Sequence, residues 1–158
     1  MNWLRLIIIR EQQRGLDHYH EYKALFSRDE WNIEKDLIIG CFENQKYRSR
    51  NLLEIYKEEQ MYIKLLKLIE SRGGLNDLKE YQEVLENQYH NEVLRLYLAF
   101  LDKSASVQGT KQHYMEIVSW MKHSGKMSGC KEIIQEKAKE YAVLYKRRSS
   151  FIRELERL

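Results

Sequence analysis

Five histidines and two cysteines carry most of the chemistry this chain could offer, and their spacing offers little of it. His18 and His20 are two residues apart, so on a helix they point to different faces and cannot share one ion. His113, His123 and Cys130 could converge only through tertiary folding. No C-x-x-C, H-E-x-x-H or related ligand spacing occurs, and no metal site is expected. Cys130 reads as an ordinary cysteine at a helix start rather than a nucleophile paired with histidine. Carboxylates are plentiful at Glu58-Glu59, Glu80, Glu83 and Glu86, and they fall at surface-like positions among lysines. Glu132 and Glu136, with Lys137 and Glu140, read as a solvated helix face. Paired catalytic acids need a pocket, and no pattern marks one. Arg72-Gly73-Gly74 and the run Ser124–Gly129 contain glycines, but they match no phosphate-loop fingerprint. No catalytic residue and no cofactor is therefore expected.

One group stands out as a binding surface: Lys137, Lys139, Lys146, Arg147, Arg148, Arg153 and Arg157. With Tyr141 and Tyr145 nearby, these cations could contact phosphates and bases. The plainer reading, which we favour, is a helix face neutralised by Glu136, Glu140, Glu154 and Glu156, with the tyrosines in the core. The charge distribution bears on the choice. From Lys103 onward there are 12 Lys+Arg against 6 Asp+Glu, whereas residues 1–102 hold 15 against 18. The last third is basic, but a net charge of +3 is too small to mark a nucleic-acid-binding protein by itself.

The elements that would position these residues are helices. At 43% hydrophobic residues with 11 tyrosines, the chain is not a disordered one. Proline, roughly 5% of an average protein, is absent, which fits uninterrupted helices and disfavours a turn-rich β fold. Ser49–Gly74 is the clearest unit: Leu52, Leu53, Ile55 and Tyr56 on one helix, then Tyr62, Leu65, Leu66 and Ile69 at i, i+3, i+4, i+7 on a second, ended by Gly73-Gly74. Before it, residues 2–13 predict a helix with Trp3, Leu4, Ile7 and Ile8 on one face, and Gly15 ends it. Asp17 offers a cap for a helix bearing Tyr19, Tyr22 and Phe26. Ser27-x-x-Glu30 matches a capping box opening a helix with Trp31, Ile33, Leu37, Ile38, Cys41 and Phe42, and Gly40 within it suggests close packing. Residues 44–48 form a polar connection.

After the hairpin, Asn76 offers a cap for a helix with Leu78, Tyr81 and Leu85. The run Val93–Leu101 is apolar nearly all round and predicts a helix buried on several sides near the centre. Thr110 opens a helix with Tyr114, Ile117, Val118 and Met121 inward and Trp120 to the side. A long helix then carries Ile133, Ile134, Ala138, Tyr141, Ala142 and Tyr145, followed by a terminal helix with Phe151, Ile152, Leu155 and Leu158. We expect about nine helices in a single all-α domain over residues 1–158, stacked as antiparallel hairpins in a short right-handed, tetratricopeptide-like solenoid. Ile55-Tyr56-Lys57 with Tyr62-Ile63 and Leu66 is echoed 89 residues on by Leu144-Tyr145-Lys146 with Phe151-Ile152 and Leu155.

The two cysteines are far apart in apolar contexts, so no disulfide framework and a reducing compartment, the cytoplasm, are expected. The apolar run Trp3–Ile9 is too short to span a bilayer, and no small-residue cleavage site follows it. A chain opening inside so apolar a helix reads as a piece of a longer protein.

Asn51-Leu52-Leu53-Glu54-Ile55-Tyr56-Lys57-Glu58-Glu59 with Tyr62 and Leu65-Leu66, His113-Tyr114-Met115-Glu116-Ile117-Val118, and Tyr145-Lys146-Arg147-Arg148 with Phe151 and Glu154-Leu155 together resemble the helical region at the C-terminal end of bacterial SWIM-type zinc-finger proteins. The likeness spans about residues 47–158. The zinc pattern of that family, C-x-C followed by C-x-H, is absent here, so the resemblance implies a segment downstream of the zinc module. The function expected is a non-enzymatic helical-repeat module for protein–protein contact. The alternatives are nucleic-acid binding through the basic C-terminal helices, or a helical enzyme whose pocket gathers His113, His123 or carboxylates. Partner identity and oligomeric state are not legible.

Overall fold

The computed structural model describes residues 16–43 and 50–158. The expected helix at 2–13 and the connection at 44–48 lie outside the described residues. Eight helices and no strand occur among those described: α1 (Asp17–Lys23), α2 (Arg28–Glu43), α3 (Arg50–Glu58), α4 (Tyr62–Arg72), α5 (Leu75–Ser106), α6 (Lys111–Ser124), α7 (Lys131–Leu144) and α8 (Ser149–Leu155). The chain divides into two compact units, Met1–Leu68 and Ile69–Leu158, so the boundary falls within α4.

In the first unit α2 packs on α3. The capping box forms as expected: Ser27 N–H donates to Glu30 Oε2 at 2.9 Å, and Glu30 N–H donates to Ser27 Oγ at 3.4 Å. Asp17 does not cap α1. It is the first helical residue, after Leu16, and its charge faces the positive helix end instead. On α2 the buried stripe is Trp31, Ile38, Ile39 and Phe42, while Ile33 and Leu37 stand exposed. Ile33 and Leu37 share a helix face with Gly40, where an added Cβ would meet nothing within 4 Å. Close packing is therefore not the reason for that glycine. Between α3 and α4 the chain reverses through Gln60, held at φ 56°, with Met61 N–H donating to Tyr56 C=O at 2.7 Å. The stripe of this hairpin is buried as its spacing predicts, apart from Tyr62, which is half-buried.

In the second unit α6 packs on each of α5, α7 and α8. Gly73, with φ 68°, closes α4 as a left-handed residue should. Gly74 rather than Asn76 occupies the N-cap of α5, and Asp77 in its first turn receives Arg72 Nε at 2.7 Å. The span Leu75–Ser106 holds the two helices expected around Leu85 and Val93, which meet with no loop between them at a kink at Tyr89, where φ −129°, ψ 37° leaves the helical region. No proline interrupts the chain there, so the ladder resumes after a single residue. Val93, Leu94, Leu96, Tyr97, Phe100 and Leu101 are buried, while Arg95 and Ala99 face out. Thr110 caps α6 by accepting from His113 N–H. The core joins Leu101, Ile117, Met121 and Ile134 to an aromatic group in which Tyr114 stacks on Phe151 at 4.7 Å between ring centres. Ile133 is exposed, because the inward stripe of α7 runs through Ile134, Ala138 and Tyr141.

Candidate anion-binding pocket

Between Glu116 and Glu132 the sequence holds no carboxylate, yet it holds Lys122, His123, Lys126 and Lys131. On α6, Ser119 and Lys122-His123 recur one turn apart, and Lys126 follows in the turn beyond the helix end. This stripe faces the first turns of α5. Lys79, Ser119, Trp120, Lys122, His123 and Lys126 line an open cleft of about 330 Å³. Lys79, Lys122 and Lys126 are exposed, and among the described residues none of the three is in an ion pair with a carboxylate. Lys79 Nζ lies 5.8 Å from the centre of the Trp120 ring, which it covers.

His123 is held from behind. Gln82 Oε1 accepts from Tyr97 O–H at 2.7 Å and sits 2.9 Å from His123 Nε2. The Gln82 amide nitrogen donates to Glu86 Oε2 at 2.9 Å, and a carboxylate can only accept, which fixes the amide orientation. His123 Nε2 therefore carries a proton, and Nδ1 is the atom that titrates. Burial, then the charges of Lys79 and Lys126, push the imidazole below its ordinary pKa, with Glu86 opposing. Beside this cleft lies a second, of about 280 Å³, that shares Lys122 and Lys126 and has an apolar wall of Met121, Ile134 and Leu158.

Three of the seven cations singled out in the sequence are committed inside the molecule. Lys137 pairs with Asp102 at 2.9 Å and Glu140 at 3.0 Å. Arg157 pairs with Glu154 at 2.9 Å. Arg148 closes the C-terminal end of α5, donating to Ala105 C=O at 2.6 Å, Ser106 C=O at 3.1 Å and Val107 C=O at 3.2 Å. Lys139, Lys146, Arg147 and Arg153 are exposed, and among the described residues none is in an ion pair. Of the nearby tyrosines, Tyr141 is buried with its hydroxyl donating to Asp102 at 2.7 Å, and Tyr145 is half-buried under Arg148. The sequence reading missed Lys79, Lys122, Trp120 and Lys126. The signal that finds them is the carboxylate-free interval on an otherwise mixed-charge chain.

Elsewhere the titratable groups serve the fold. Glu59, expected at the surface, has a side chain only 7% exposed. It accepts from Tyr19 O–H at 3.0 Å and Trp31 Nε1 at 3.2 Å, and it pairs with Lys23 and Lys35. Burial raises its pKa, but the bonds from Lys23, Trp31 and Tyr19 outweigh that and hold it below the ordinary range. His18 and His20 bind Glu21 and Glu58 separately, and His113 meets Ser104 C=O. Cys130 Sγ lies 3.5 Å from His90 Nε2, and His90 Nδ1 lies 3.9 Å from Glu86. That order resembles an activated thiol. However, Cys130 is fully buried, and burial followed by the Glu86 charge pushes its pKa up, so the neutral thiol is favoured. Both cysteines are free. Among the described residues no cluster of three or more His, Cys, Asp or Glu could hold a metal ion, and no helix is long and apolar enough to cross a membrane.

Comparison with known proteins found no matching family model, curated protein or solved structure.

Proposed function

We propose that this chain is a non-enzymatic helical module that binds an acidic segment of a protein partner at the α5–α6 cleft. One observation carries the reading: three lysines share the lining of that cleft, and no carboxylate is among its lining residues. Lysines left unpaired in a concave site keep their charge available to a ligand. The surrounding chemistry favours binding over catalysis, since the buried ionisable groups are occupied by structural partners. The stacking of successive helix hairpins as a right-handed solenoid belongs to the same proposal, supported by the short α3–α4 and α7–α8 connections. So does descent from the helical part of SWIM-type zinc-finger proteins, which a C-x-C…C-x-H pattern in the upstream reading frame would test.

The second reading, nucleic-acid binding, rests on the exposed cations Lys139, Lys146, Arg147 and Arg153, which form no ion pair among the described residues. Titrating the protein with a Glu/Asp-rich peptide, a neutral peptide of the same length and a single-stranded oligonucleotide, across a salt series, separates the two. Tighter binding of the acidic peptide than of the oligonucleotide, weakened by replacing Lys122 and Lys126, is the expected outcome. An oligonucleotide preference with a steep salt slope would transfer the function to the terminal cations.

A further inference from the structure

We infer that the α5–α6 cleft is a receptor for a phosphorylated side chain, a phosphoserine or phosphothreonine of the partner, and this rests on the reading that an acidic protein segment docks there. Two features of the cleft separate a phosphate monoester from a carboxylate. Its cations are three ammonium groups on separate segments, Lys79 on α5, Lys122 on α6 and Lys126 beyond α6. A planar carboxylate carries one charge and suits a single bidentate partner. A phosphate monoester carries close to two charges and three acceptor oxygens, which suits several point-charge donors approaching from different sides. Ser119 adds a hydroxyl to the same lining.

The surroundings favour a peptide over a nucleic acid as the carrier. A nucleic acid would use Trp120 as a stacking platform. That ring is half-buried, covered by Lys79 at 5.8 Å and set edge-on to His123 at 5.9 Å between ring centres. The adjoining cleft, with Met121, Ile134 and Leu158 along its wall, instead has room for an apolar side chain next to the phosphate. Lys122 and Lys126 line both clefts, so a phosphorylated residue and an apolar neighbour would straddle them.

His123 reports on occupancy. The groups facing it are Lys79, Gln82, Glu86 and Tyr97 from α5, Trp120 and Lys122 from its own helix, and Lys126 beyond it. The lysine charges now disfavour protonation at Nδ1. A bound dianion would offset them, and the imidazole midpoint would rise.

The test uses the whole chain and four probes: a peptide with one phosphoserine followed by a leucine, the same peptide with serine, the same with glutamate, and a single-stranded oligonucleotide. Calorimetric titration should rank the phosphopeptide tightest, above the glutamate form by about tenfold or more, the scale of one charge-assisted hydrogen bond. Replacing Lys122→Gln and Lys126→Gln, both exposed and neither in an ion pair among the described residues, should remove that advantage without touching the fold. The His123 midpoint followed by NMR should move up with phosphopeptide and stay in place with the serine peptide. Equal affinity for the phosphoserine and glutamate forms overturns the phosphate assignment while leaving acidic-segment binding intact. Failure of every peptide to bind, or preference for the oligonucleotide, overturns both. An unmoved His123 midpoint with bound phosphopeptide places the phosphate elsewhere and overturns the site.

Discussion

Glu59 shows how one residue can organise a region without being reactive. Its carboxylate collects Tyr19, Trp31, Lys23 and Lys35, so four side chains of α1 and α2 are tied to the end of the α3 segment. Hydrogen bonds to a buried charge are worth more than neutral ones, and removing one partner strands the others. Glu59→Gln keeps an acceptor for the hydroxyl and indole but leaves Lys23 without its counter-charge. The expected loss is about 2 kcal/mol, read from denaturant unfolding at neutral pH. The pH dependence has a definite sign. A carboxyl held below its ordinary pKa contributes stability that is fully present above the unfolded value, about 4.3 for glutamate. That contribution is lost as pH falls through the lower folded value. Acidification from pH 5 toward pH 3 should therefore cost the wild-type chain more than Glu59→Gln. Parallel unfolding curves for the two over that window would show that the cluster contributes nothing to acid sensitivity.

At the scale of elements, the centre of α5 and its C-terminal end make separate predictions. Tyr97 is fully buried with its hydroxyl on Gln82, whereas Leu98 is only half-buried. An aspartate at Tyr97 leaves a cavity and an unpaired charge, at a cost of about 4 kcal/mol or more, enough to unfold most domains of this size. Leu98→Asp can tilt its carboxylate toward water and should cost less than half as much. Thermal melts that rank the two in the opposite order would mean the buried face of α5 is placed wrongly. At the end of the same helix, Arg148 satisfies three carbonyls that no intrahelical N–H reaches. Arg148→Ala should lower stability by about 1–2 kcal/mol, while Arg147→Ala, one residue away and exposed, should change it little. This pair separates structural cations from available ones, which charge counting cannot do.

These elements also show what a sequence reveals. Helical periodicity exposed the α3–α4 hairpin, the capping box at Ser27, the Thr110 cap and the apolar run in α5, because each follows from contacts within a few residues. The two helices around Leu85 and Val93 were legible as well; what was hidden is that a one-residue kink at Tyr89, rather than a loop, separates them. The split of α2 into a buried Ile38-Ile39 face and an exposed Ile33-Leu37 face was also hidden, since both stripes are apolar and only the neighbours choose between them. The α5–α6 cleft needed Lys79 brought beside Lys122 across 43 positions, although its missing acids were visible. Conversely, the seven C-terminal cations looked alike until Asp102, Glu154 and the α5 carbonyls claimed three of them.

Over the whole molecule, binding by local geometry must be told apart from attraction by a basic surface. The chain carries a net charge of +3, concentrated after Lys103. Lys122→Glu with Lys126→Glu, and Lys146→Glu with Arg147→Glu, each reverse two charges and take the net charge to −1, so any effect of overall charge is the same for both. Screening reduces interactions beyond about 10 Å at 0.1 M salt, and contact charges then dominate. If the cleft is the binding site, the first pair abolishes binding of an acidic peptide at every salt concentration. The second pair then weakens it only at low salt, through the encounter rate rather than the lifetime of the complex. Association and dissociation rates measured at two ionic strengths separate these effects. Equal losses in both variants, confined to association, would show that the basic third of the chain attracts acidic partners as a diffuse field and that the convergence of Lys79, Lys122 and Lys126 has no part in holding them.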